Sequence, residues 1–182
     1  MDKKAVEAAG IELNRALKSV TLLGAANNFA DVQSHWTAFL ASAGRVFTKL
    51  EEGSKDTQKS KTWFGTKVHQ RRTDPVLRYV WQARNAHEHT LQDLTQHVIR
   101  ELPPSPADIE KLRRAQDEAG MPVGRGMPVG ATATPPDVRL LPVVNRGTRC
   151  DPPPTCTTPY QAGTKALATI GAILAEAERL VT

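Results

Sequence analysis

Apolar residues recur at helical spacing along the first hundred positions. Val6, Leu13, Leu17, Val20 and Leu23 form one stripe, with Ala9 and Ala16 between them, which predicts an amphipathic helix over about 2–24. A cleaner stripe follows. Phe29, Val32, Trp36, Phe39, Ala43, Val46 and Leu50 step by alternating threes and fours, the pattern of a helix that wants a facing helix. Residues 24–28 leave room only for a short turn, so the two helices are expected to pair antiparallel. Asp74-Pro75 then supplies a cap followed by proline at the first helical position. The helix it opens is predicted to run to about 102, where Pro103-Pro104 stops it. On it Leu77, Trp81, Arg84, Glu88 and Leu91 share a stripe, with Val76, Val80, Ala83, His87, Leu94 and Val98 beside them.

Twelve of the 13 prolines lie between Pro103 and Pro159. Proline is hostile to helix interiors, so the chain divides into a helical core over 1–102, a mostly irregular Pro/Gly-rich excursion over 103–159, and a C-terminal helix over 160–182. Within the excursion, 106–119 reads as a short helix. GMPVGRGMPVG is a five-residue echo too short for a solenoid repeat, and 137–145 reads as an edge strand interrupted by Pro142. Leu167, Ile170, Leu174, Ala177 and Val181 give the last helix an apolar face that docks on the bundle. The expected fold class is all-α, an up-and-down helical bundle.

Charge and composition narrow the function classes. The 182 residues carry 24 Lys and Arg against 19 Asp and Glu, a net charge of +5 that permits an anionic partner. Aromatics are only 5%, which suits a bundle built on Leu, Val and Ala. No apolar run approaches the ~18 residues of a membrane span, and MDKKAVEAAG lacks the apolar region of a secretory signal, so a cytoplasmic protein without membrane association is expected. Cys150 and Cys156 flank three prolines that favour extended backbone, and are expected to be free thiols in a loop. Residues 55–72 hold six basic side chains against Asp56. A basic loop or short helix is expected there, anchored by Trp63 and Phe64, with Lys61, Lys67, His69, Arg71 and Arg72 as the residues to meet a nucleic-acid backbone. The bland alternative is a solvated basic loop with Trp63 tucked under the bundle.

The densest chemistry lies in RNAHEH, residues 84–89. His87 and His89 are two apart and diverge on a helix, and HEHTL is not HExxH, so no metal site is expected. No glycine cradle for a nucleotide and no serine elbow occurs, and no cofactor is implied. Arg84–Glu88 and Asn85–His89 are both four apart and could be plain surface pairs. Acid–base chemistry on a phosphodiester is the other reading. A histidine moves protons near neutrality, a guanidinium forks onto phosphate oxygens, and the 2′-hydroxyl of RNA is a built-in nucleophile.

Arg84-Asn85 followed by His89 resembles the Arg-x4–6-His motif of HEPN domains, helical bundles found in prokaryotic toxins, abortive-infection proteins and CRISPR-linked ribonucleases. The resemblance covers about 1–102. It implies a homodimer whose facing helices form a metal-independent endoribonuclease site. Arg84 would hold the scissile phosphate, His89 would act as general acid or base, and Asn85 would position either. It also implies RNA as partner and a possible cognate antitoxin or second subunit. The alternative is a non-catalytic dimerisation or interaction module of the same fold. An Arg84 free beside His89 in an open cleft favours the enzyme; an Arg84 paired with Glu88 weighs against it.

Overall fold

The computed structural model describes residues 1–90, 92–98 and 137–181, with Glu110 and Arg114 as isolated positions between them. Five helices account for most of the described chain: α1 (Lys3–Ala25), α2 (Phe29–Gly53), α3 (Gln58–Thr73), α4 (Pro75–Thr90) and α5 (Pro159–Glu178). Among the described residues, four three-residue strands lie between α4 and α5. Strand β1 (Thr95–His97) pairs antiparallel with β2 (Val138–Leu140), and β3 (Val143–Asn145) with β4 (Thr148–Cys150). The bundle is therefore mostly helical rather than wholly so.

Caps fix where the helices begin. The Asp2 side chain accepts from Lys4 N, Asn28 from Asp31 N, and Thr57 from Ser60 N. Asp74 Oδ1 accepts from the amides of Val76 and Leu77 at 2.8 and 2.9 Å, as its position before Pro75 predicts. Thr158 and Gln161 close a capping box at the start of α5, with Pro159 at the first turn.

The antiparallel pair α1–α2 carries the core, with α5 laid across both and α4 against α2 and α5. Trp36, Phe39, Val46 and Leu50 of α2 are fully enclosed, as are Ile170 and Ala166 of α5. On α1 the buried line runs through Val6, Ala9, Ala16, Val20 and Leu23, while Leu17, expected on the apolar stripe, is 54% exposed. The seam instead passes through Glu12, which is buried beside Arg15 and lies 3.5 Å from Arg45 of α2.

The largest departure is at the end of α4. The helix expected to reach about 102 ends at Thr90, and of the described residues that follow, Thr95–His97 form a strand. A partner strand wins there. Leu141 N donates to Leu94 O at 3.0 Å, Val98 N to Asp137 O at 2.7 Å, and the Gln92 side chain bridges Pro142 O and Val144 N. The edge strand expected over 137–145 is present as β2 and β3, split at Leu141-Pro142, where a proline without an amide cannot continue the ladder. So part of the expected irregular excursion is ordered sheet. Arg146 and Gly147, at φ 49° and 75°, make the tight turn between β3 and β4. Tyr79 anchors this region to α4 by donating to Leu141 O at 2.7 Å. Cys150 and Cys156 are free, as expected, but buried, and burial raises the Cys150 thiol above its ordinary value. Leu91, residues 99–102, the GMPVG echo and, apart from Glu110 and Arg114, the expected helix over 106–119 lie outside the described residues.

Candidate phosphate-binding face

Arg84 sits on α4 where it meets α2, and a glycine makes that seat possible. A Cβ on Gly44 would lie 2.6 Å from Arg84 Nε and 2.7 Å from its Cδ, so the guanidinium stem lies directly against the α2 backbone. Arg84 Nη2 is 2.9 Å from Glu88 Oε2, and Nη1 is 3.4 Å from Asn85 Oδ1. The Arg84 side chain keeps 23% of its surface open, and its buried Nε has no hydrogen-bond partner among the described residues.

A second guanidinium lies beside it. Arg71 of α3 is stacked on Trp81 at 3.6 Å and on Phe47 at 5.1 Å, while Arg84 lies 5.4 Å from the same Trp81 ring. Burial first, then neighbouring Arg72, lowers the Arg71 pKa from its ordinary value, but a guanidinium stays charged at any physiological pH. The aromatic faces offset part of the repulsion between the two cations.

The basic segment is a helix, α3, and its cations divide. Lys61, His69 and Arg72 are exposed. Lys67 pairs with Glu176 of α5 and lies 5.7 Å from the Trp63 ring, and Trp63 Nε1 donates to the same Glu176 at 3.0 Å. These two hydrogen bonds, Lys67's the larger cause, hold the Glu176 carboxyl below its ordinary value. Lys67 and Arg71 therefore tie α3 to the bundle, and Trp63 is tucked against it.

His89 is exposed at the end of α4. At ~100° per residue, five residues carry it about 140° around the helix from Arg84. Its side of α4 is that of Gln82, which accepts from Asn145 of β3 at 2.7 Å. Arg84 and Asn85 are brought together; Arg84 and His89 are not, within one chain. Arg84 instead shares a groove of about 410 Å³ with His87, a residue the motif passes over. The signal for this was the spacing of three between them; the glycine that seats Arg84 had no local signature.

Among the described residues, no group of three or more His, Cys, Asp or Glu could hold a metal ion, and no helix is long and apolar enough to cross a membrane. Comparison with family models, with curated proteins and with solved structures finds no match for this chain.

Proposed function

We propose that the protein is an RNA-binding helical module of the HEPN kind, which takes the phosphate backbone on the Arg84 side of α4. The observation that carries this is the seat of Arg84. Its stem is fixed by Gly44 and Trp81 while its tip faces an open groove, held by one partly exposed pair to Glu88. Such a pair at i,i+4, with the acid on the C-terminal side, contributes only ~0.2–0.5 kcal/mol. So weak a pair can be exchanged for a phosphate, whose oxygens fit the guanidinium fork in the same way. Exposed Lys61 and Arg72 on the adjoining helix extend the positive field, with His69 exposed between them.

Fluorescence anisotropy with labelled single-stranded RNA tests the reading. Arg84→Ala is expected to weaken binding about tenfold or more, and Arg72→Ala less. With roughly three phosphate contacts, the logarithm of affinity falls with the logarithm of salt at a slope near −2. Equal binding by Arg84→Ala and wild type refutes the reading.

Metal-independent RNA cleavage by a homodimer is the second reading, favoured by Asn85 beside Arg84 and by an exposed His89 available to a second copy. There the 2′-oxygen loses its proton and attacks phosphorus. The bond to the 5′-oxygen breaks, and that oxygen gains a proton, leaving a 2′,3′-cyclic phosphate and a 5′-hydroxyl. The Arg84–Glu88 pair and the separation of Arg84 from His89 in one chain weigh against it. Cleavage of end-labelled RNA in excess EDTA, lost in Arg84→Ala and His89→Ala, would establish it.

A further inference from the structure

We infer that His87, and not His89, is the histidine that meets a phosphodiester together with Arg84, in the groove between α2 and α4. The assignment rests on the reading of the Arg84 side as an RNA-phosphate site. It starts from helix geometry. Residues three apart lie on one face with Cβ atoms ~5–6 Å apart, whereas five apart puts His89 on another side. The groove confirms the pairing spatially, since Arg84, His87 and Glu88 form its α4 wall.

The opposite wall is built mostly from short side chains, with the buried Leu40 among them. Ser34, Thr37, Ala38 and Ala41 of α2 leave the open space beside the α4 side chains. The His87 side chain is half-buried, lines the groove, and makes no hydrogen bond or ion pair with the described residues. It also stands where the groove meets a second cavity of about 250 Å³, lined by Trp36, Gln92 and Asp93. Trp36 is fully buried, and its indole N–H has no acceptor among the described residues. A buried donor without an acceptor is costly, and the cavity that Trp36 borders is large enough to hold water.

Glu88 explains how the site rests when empty. Its carboxylate occupies one terminal nitrogen of Arg84, as one phosphate oxygen would, and it is 38% exposed and free to swing away. The ligand class is therefore a phosphodiester, with one phosphate exchanging for Glu88 and contacting His87.

The test uses the full chain and a 2′-O-methyl RNA oligonucleotide, which cannot be cut by its own 2′-oxygen. Binding is measured by anisotropy, and the histidine ring signals are followed by ¹⁵N NMR during titration. His87→Gln is expected to weaken binding about tenfold, by loss of one charge-assisted contact, while His89→Gln stays within twofold. The His87 ring signals shift on titration and those of His89 do not; the His87 shift disappears in Arg84→Ala. Thermal melts confirm that each variant is folded. If binding depends on Arg84 but His89→Gln weakens it and His87→Gln does not, the histidine assignment is overturned while the RNA reading stands. If wild type does not bind, both fall. If wild type binds through Arg84 and His87 but leaves ordinary RNA uncut, the groove stands and the ribonuclease reading fails.

Discussion

The two sides of α4 are made of similar residues and behave differently. On one, Arg84, His87 and Glu88 border an open groove against the small residues of α2. On the other, Gln82 is bonded to Asn145, and Tyr79, deeper in the helix interface, to Leu141 O. Gln82 and Tyr79 hold the strand region in place, while His89, further along the same side, stays exposed. The polar side chains on the first side have one exchangeable ion pair among them. A polar residue is thus free for a ligand according to what its neighbouring element leaves unfilled, not according to its type.

Gly44→Leu should break this comparison most strongly. The new side chain occupies the seat of the Arg84 stem, which drives the guanidinium out and overpacks the α2–α4 contact at a cost of about 1–3 kcal/mol. Urea denaturation reads the loss of stability and anisotropy the loss of RNA binding. Gly44→Ala separates the two: the helix gains ~0.5–1 kcal/mol from replacing glycine, offsetting strain, while Arg84 still shifts and RNA affinity falls.

Tyr79→Phe acts on the other side. Losing the bond to Leu141 O should cost about 1 kcal/mol and leave RNA affinity within twofold. Burial, with a smaller effect from Cys150, raises the Tyr79 hydroxyl well above its ordinary 10.0. The unfolded chain therefore loses this proton first, so Tyr79's contribution is complete below about pH 10 and declines as the pH rises further. Urea midpoints at pH 8 and 10.5 should fall less in Tyr79→Phe than in wild type; Cys150, raised in the same direction, accounts for part of what remains.

The smallest effect is expected from Glu88→Gln. Removing the resting partner of Arg84 should change stability by only a few tenths of a kcal/mol and tighten RNA binding several-fold. Weaker binding in this variant would mean that Glu88 positions Arg84 rather than competing with the phosphate.

The parts of the fold that were legible are those where one apolar stripe decides burial. The α2 residues Val32, Trp36, Phe39, Ala43, Val46 and Leu50 are all buried, and Asp74-Pro75 opens α4 as its chemistry requires. On α1 the buried line drifts far enough to leave Leu17 in solvent, because Glu12 is taken inside by Arg15 and Arg45 from two helices. Residues 92–98 could not be read locally. Nothing in Leu94-Thr95-Gln96 forbids helix, and the decision is made by β2 more than forty positions away. The candidate site shows the same limit. The spacing of Arg84 and Glu88 announced their pair, but nothing nearby marked Gly44 as the seat of Arg84. Of the basic run, Lys67 and Arg71 are drawn into packing by Glu176, Phe47 and Trp81, partners that only the fold supplies.

The pairing of β1 with β2 works as a clasp. By bonding Val98 to Asp137 it brings two positions far apart in sequence to one place beside the bundle. The clasp thus holds Val98 and Asp137 close enough for a short turn to join them.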